Sequence, residues 1–270
     1  MRLAGLFVWL DSEENPYRRH VLPLARTQPV VRLAILAASA RHLATTSNVD
    51  PSFPRSACDA AVGMIADRVR HVTQRLADGY DLSNEIDATT AEWMLASILI
   101  LSNYEMIGSE VAAAEFHRQG ARTLVNALST VDLPSNDLYK FLRFQFSIYD
   151  ILSCTTTFDD LSTSNVILPE PNQPEVLFSD FLRIIHKVTV LSREGRLVNS
   201  QDDLHHDKKY SLSSSLIGSF EQARGLTLMG SGLLSKIDAT SRRDFIRLVD
   251  IYHHAGLIYS YSCLYNLSSD

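Results

Sequence analysis

The side chains best suited to chemistry in this 270-residue chain are its histidines. His205-His206-Asp207 lies ahead of His253-His254, and these form the one grouping with the residue types that hold a metal. A catalytic zinc takes three converging protein ligands, often with two at i and i+4 on one helical face. Neither pair has that spacing. Neighbouring histidines point away from each other on a helix, so each pair supplies one ligand at most. The pattern reads as solvated polar residues, and no metal site is expected.

His117 shares a three- and four-residue stripe with Ala113, Gly120, Leu124 and Leu128. That spacing faces it toward packed neighbours as a neutral imidazole rather than a catalytic one. Gly120 costs about 1 kcal/mol relative to Ala within a helix, and its presence predicts that another helix crosses closely there. Tyr104, Glu105, Arg122, Arg143 and Asp150 are polar groups embedded in apolar helices. Buried charges must be paired, so these five and His117 make up the candidate polar network or pocket. Arg143 and Asp150 stand two turns apart on similar faces, with room for a third group to join them. A structural ion-pair network is preferred to a ligand site. Gly230-Ser231-Gly232 lacks both the Gly-Lys-Ser/Thr ending of a P-loop and the Gly-x-Ser-x-Gly of a nucleophile elbow. No catalytic or cofactor-binding residue is expected.

Hydrophobic periodicity supplies the helices that must hold these groups. Asn15 suits an N-cap, and Pro16 suits the first helical position, where its missing N–H is unpaired anyway. Pro29 interrupts that helix and starts another. The run from Val30 to Leu43 is broken by Arg32, Ser39, Arg41 and His42, which predicts burial nearly all round. A helix from near Pro54 to near Gly79 carries Ala57, Ala61, Met64, Ile65, Val72 and Leu76. Thr89 and Glu92 have the form of a capping box ahead of the apolar run Trp93 to Leu101. Ser109 is expected to cap the helix of His117. Ser135 is expected to cap the next, with Leu138, Phe141, Leu142, Ile148, Tyr149 and Leu152 on its apolar positions.

Clustered Thr, Ser and Asp from Thr155, then Pro169, Pro171 and Pro174, predict a long loop or linker. A helix from Leu177 to Leu191 turns Phe178, Phe181, Leu182, Ile185 and Val188 inward. Asn199 to Ser215 is polar and weakly patterned, which predicts a mobile stretch. Ser241 to Leu267 carries Phe245, Leu248, Val249, Tyr252, Ala255, Tyr259 and Cys263 at helical spacing. No strand pair appears, and no period near the roughly 34 residues of tetratricopeptide repeats. The expected fold is all-α, a large irregular bundle of about 9–11 helices without significant sheet. It is expected to be one domain, 1–270, with a subdivision into 1–157 and 175–270 around the proline-rich linker.

Composition narrows the function. Hydrophobic residues make up 46% and charged residues 21%, enough for a sizeable core, and the net charge is −6. Phosphate backbones are bound by clustered Lys and Arg; Arg18-Arg19 and Arg242-Arg243 are pairs, so the chain alone is a poor DNA binder. Cys58, Cys154 and Cys263 are odd in number and far apart, which fits neither a zinc cluster nor a disulfide framework but fits a reducing compartment. The sequon at Asn266 is a chance match. No apolar run reaches the roughly 18–20 residues of a membrane span, and Met1 to Leu10 lacks a leader's cationic start and cleavage site. A soluble protein without membrane contact is expected.

Several segments carry a family likeness. They are Asn15-Pro16-Tyr17 through Leu22-Pro23-Leu24-Ala25, Val30 to Ala44 ending Ala40-Arg41-His42-Leu43-Ala44, and Ser102-Asn103-Tyr104-Glu105. Later come Phe116-His117-Arg118-Gln119-Gly120-Ala121-Arg122, Tyr149-Asp150-Ile151-Leu152-Ser153 and Tyr252-His253-His254-Ala255-Gly256-Leu257-Ile258-Tyr259. In this order they resemble the fungal-specific transcription factor domain, the helical regulatory region of fungal zinc-cluster (Zn2Cys6) factors. Gln119 shifts the register of its segment slightly.

The resemblance implies a nuclear regulatory and interaction domain that controls gene expression, including that of a metabolic gene cluster. It implies action through other regulatory proteins or a self-dimer, with a small-molecule effector in an interhelical pocket. Zinc and DNA contact are expected only from an upstream six-cysteine module that this chain lacks, or from a partner; no cofactor is expected in the chain itself. The family carries no shared catalytic residues. Two alternatives stand beside this reading. One is a secondary-metabolism enzyme or ligand-binding protein on the same fold, with His117, Arg122 and Asp150 converging on an open cavity. The other is a scaffold subunit, as a kinetochore component on this fold is, with a contiguous exposed apolar patch.

Overall fold

Asn15 and Pro16 open the first helix as their chemistry dictates. The computed structural model describes residues 15–44, 50, 52–79, 88–129, 137–156, 163, 165–170, 177–197, 205–230 and 238–265. In it the Asn15 side-chain oxygen accepts from the Tyr17 N–H at 2.9 Å, and the Asn15 carbonyl accepts from Arg18 and Arg19. This buried cap starts a π-helical turn, Tyr17–Val21, which continues into α1, Leu22–Thr27. Gln28 is extended, with φ −109° and ψ 104°, because the ring of Pro29 disfavours an α conformation in the residue before it. Pro29 then opens α2, Pro29–Ala44.

The remaining helices are α3 (Ser52–Ala77), α4 (Ala88–Ile107), α5 (Val111–Ser129), α6 (Asp137–Thr156), α7 (Ser179–Leu197), α8 (His205–Gly230) and α9 (Ala239–Tyr265). The fold is all-α: among the described residues there are nine α-helices and no strand. Two compact units divide the chain, Met1–Phe146 and Ser147–Asp270. The seam falls inside α6, ahead of the proline-rich stretch that was expected to carry it.

In the first unit α4 is the central helix, packing on α2 and α5, while α3 packs mainly on α2. The run through Leu101 is apolar on every face, and Met94, Leu95, Ile98, Leu99, Ile100 and Leu101 are all buried. Burial nearly all round was expected of α2 instead. There Val30, Val31, Ala34, Ala37 and Ala38 are buried, but Leu36 and Leu43 are exposed. Arg32, Leu36, Ser39 and Leu43 fall on one side of α2 that meets solvent, so it presents a stripe rather than a fully apolar surface.

Helix starts differ from expectation by a residue or two. Asp50 accepts from the N–H of Ser52 at 2.9 Å and from its hydroxyl at 2.7 Å, so α3 begins at Ser52, ahead of Pro54. On α3 Ala57, Ala61 and Val72 are buried as expected, whereas Met64 is exposed. A turn with Gly79 at φ +89° follows α3, a conformation glycine adopts freely. Thr89 lies inside the first turn of α4 rather than at its cap, and Glu92 is buried. Ser109 does not cap α5: it takes φ +60° in the turn before it, and the Glu110 carbonyl accepts from Ala114. Ser135 lies outside the described residues.

In the second unit α7, α8 and α9 pack on one another. The inward set Phe178, Phe181, Leu182, Ile185 and Val188 is buried as expected. Phe178 stands just before α7 at φ +73°, and its carbonyl accepts from Leu182. Its ring lies 4.7 Å from Tyr252 and 5.8 Å from Phe245 between centroids, and this aromatic packing holds a backbone that costs a non-glycine residue energy. Where a mobile stretch is expected over 199–215, α8 begins at His205. Its buried residues Leu216, Phe220, Ala223 and Thr227 recur at helical steps. On α9, Phe245 and Val249 are buried, Leu248, Tyr252, Tyr259 and Cys263 half-buried, and Ala255 exposed.

Candidate functional site

Because α3 rests mainly on α2 and α5 on α4, a cavity of about 620 Å³ opens between α3 and α5. Val62, Ile65, Ala66, Val69 and Val72 form one wall; Phe116, Gly120, Leu124 and Ala127 form the other. Met94 and Ile98 of α4 supply the floor. Small side chains at Ala66, Gly120 and Ala127 leave the gap unfilled. A Cβ on Gly120 would meet nothing within 4 Å, so the expected close helix crossing does not occur there. It occurs at Gly256, where a Cβ would overlap the ring of Phe220.

His117 also lines this cavity. Burial pushes its pKa below the ordinary histidine value, so the ring is neutral at pH 7. Among the described residues none forms a hydrogen bond with its imidazole. The hydroxyls of Thr73 and Thr123, also in the lining, donate to the Val69 and Gln119 carbonyls at 2.9 and 3.0 Å. Arg70, the charged lining residue, turns to Asp67 at 2.7 Å in an exposed pair.

The stripe expected on α5 was one residue out of phase. Ala114, Arg118, Ala121, Leu124, Val125 and Leu128 are buried, while Ala113 and His117 are half-buried and Gly120 is exposed. Arg118, only 1% exposed, escaped the sequence reading. Its Nε donates to Glu115 Oε2 at 2.6 Å. Glu115 three residues earlier was the legible signal, since i,i+3 pairs face each other on a helix.

Tyr104 and Glu105 meet two residues outside the candidate polar set, Arg41 and Cys58. The Arg41 guanidinium lies 4.4 Å from the centre of the Tyr104 ring and 3.8 Å from Glu105 Oε2. The Cys58 thiol donates weakly to Glu105 Oε1 at 3.8 Å. Desolvation raises the pKa of Glu105 and outweighs the opposing Arg41 charge and Cys58 hydrogen bond. Burial, with Glu105 adding to it, pushes the Cys58 thiol up to about 12, so it stays protonated and unreactive. A side chain on Gly108 would collide with the Arg41 guanidinium. This cluster ties α2, α3 and α4 together.

Arg122 is half-buried on α5 and its charge acts on Glu115; Arg143 is half-buried on α6. Asp150 is fully buried and accepts from the Ile167 N–H at 2.8 Å. Its charge also acts on His186, whose pKa burial nonetheless lowers. Arg183 donates to the Pro169 carbonyl, and Arg193 to Thr163 and the Cys154 carbonyl. The bonds from Asp150 and Arg183 anchor the irregular segment 165–170 within the second unit. Within the first unit Tyr104 and Glu105 share the Arg41 cluster and His117 lines the cavity; within the second, Asp150 holds Ile167.

The family model of the fungal specific transcription factor domain matches residues 1–270. The chain belongs to that family. No curated protein and no solved structure matches it.

Membership gives this fungal transcription factor domain a role in regulating transcription. Among its described residues no group of three His, Cys, Asp or Glu is placed to hold a metal ion. His253 is buried and 3.1 Å from Glu221, while His254 is exposed and contacts the Asp250 carbonyl at 2.7 Å. The two rings do not diverge as expected of neighbours but pack edge to face, 5.0 Å apart. Side chains at 205–207 and the Ser231-Gly232 pair lie outside the described residues. No described helix is long and apolar enough to cross a membrane. Ile251, Ile258 and Tyr261 are exposed on α9.

Proposed function

We propose that this domain is the regulatory part of a nuclear transcription factor and that a small-molecule effector in the α3–α5 cavity modulates its contacts with other regulatory proteins. The cavity carries the reading. Its volume of about 620 Å³ falls within the range of roughly 300–1,000 Å³ usual for small-molecule sites, and it combines apolar walls with a single unpartnered imidazole, as such sites do. It lies between helices that share the central α4, so an occupant that spreads or draws in α3 and α5 shifts how the unit presents its surface.

The enzyme alternative requires His117, Arg122 and Asp150 around one opening. Arg122 is not among the residues lining the cavity that holds His117.

A fusion of the full chain to a heterologous DNA-binding module, read out on a reporter gene in yeast, tests the proposal. Reporter output several-fold different from that of the module alone is expected, and a cavity-filling Gly120→Leu variant should change it. Output equal to the module alone, with the fusion present at matched levels, refutes the regulatory role. An unchanged output in Gly120→Leu refutes the effector's part in it.

A further inference from the structure

Resting on the effector reading above, we propose that the α3–α5 cavity takes an uncharged, elongated, apolar small molecule with one hydrogen-bonding group that meets the imidazole of His117. Shape comes first. The lining runs from Val62 to Thr73 on α3 and from Phe116 to Ala127 on α5; at 1.5 Å per residue each wall is about 16 Å long. A space of about 620 Å³ drawn out over that length suits a slender molecule.

Charge comes next. A charged group brought into this space would lose its hydration and find no buried counter-charge among the lining residues. Arg70 is paired with Asp67 and its side chain is 77% exposed, so it stands at the rim. The threonine hydroxyls already donate to helix carbonyls. His117 is the group left to read a ligand. Neutral at pH 7, its imidazole offers one N–H donor and one nitrogen acceptor, which suits an alcohol or carbonyl. Phe116 is 75% exposed at the edge of the same wall, and an apolar occupant would cover part of it.

The test uses the full chain and N-phenyl-1-naphthylamine, a neutral fluorescent probe, at pH 7.5. Saturable fluorescence enhancement with one probe per chain is expected, with displacement by 1-dodecanol about tenfold tighter than by dodecanoate or dodecylammonium. Gly120→Leu, whose side chain enters open space and favours the helix, should abolish probe binding without lowering the melting temperature. His117→Leu should keep the probe but weaken dodecanol about tenfold, the loss of one hydrogen bond. Absence of saturable probe binding overturns the inference. So does dodecanoate displacing as well as dodecanol, or probe binding unchanged in Gly120→Leu. Dodecanol binding with a reporter blind to Gly120→Leu leaves this ligand class standing and removes the effector role. A reporter that responds to Gly120→Leu in a chain that binds no neutral probe does the reverse.

Discussion

Two glycine-to-alanine substitutions should move stability in opposite directions. Gly256 and Gly120 both sit in helices, α9 and α5, where alanine is favoured by about 0.8–1.0 kcal/mol. A Cβ on Gly120 meets nothing within 4 Å, so Gly120→Ala should stabilise by about 0.5–1 kcal/mol. A Cβ on Gly256 would overlap the Phe220 ring, lying 2.8 Å from its Cζ and closer still to Cε1. Phe220 is completely buried, with Phe181 at 6.2 Å between ring centres, so the ring has little room to move aside. Overpacking of this kind costs about 1–3 kcal/mol. Subtracting the helix gain leaves Gly256→Ala destabilised by about 0–2 kcal/mol, centred near 1, a difference of about 2 kcal/mol between the variants. Urea titrations followed by circular dichroism would read this as midpoints moving in opposite directions with unchanged slopes. Equal shifts of the same sign, or a stabilised Gly256→Ala, would refute the claim that α8 and α9 meet at this glycine.

Three further outcomes follow from the polar clusters. Arg41→Met should cost about 1–3 kcal/mol, because Glu105 keeps a largely buried carboxylate without its guanidinium; adding Glu105→Gln should recover part of it in a double-mutant cycle, and full additivity would show that the pair does not interact. Asp150→Asn should cost about 1–3 kcal/mol and speed amide exchange at Ile167, which loses a charged acceptor; mass-spectrometric exchange that leaves this amide protected would count against the anchor. His117 and His186 both have depressed pKa values in the folded chain, so below about pH 6.5 the unfolded state binds protons that the folded state does not. Stability should therefore fall on acidification through that window and recover on return to neutrality. Glu105, raised in the fold, works with the opposite sign, losing stability as pH rises through its ordinary range. His117→Leu should flatten the slope below about pH 6.5, and an identical slope would sink the assignment.

Local signals read well where a side chain acts on its own backbone. Asn15 caps, Pro29 restarts the chain, and the inward face of α7 is legible from Phe181, Leu182, Ile185 and Val188 alone. Phase was harder. On α5 the apolar positions fit two stripes one residue apart, and His117 and Gly120 were assigned to the buried one; Arg118 occupies it instead because Glu115 neutralises it. The start of α8 was missed because its first turns are polar, and a window on those residues shows no period until Leu216 and Phe220 enter it.

The sequence by itself settled that the chain is all-α and, through its ordered segments, which family it belongs to. Both rest on short-range patterns: three- and four-residue spacing, caps and prolines, which neighbouring atoms decide. Which helix became central, which glycine marks a close crossing, and where a cavity lies were decided by the tertiary structure. Each depends on what stands opposite a residue from far along the chain. Gly120 and Gly256 are the same residue in similar helices; one faces empty space beside α3, and the other faces Phe220 of α8.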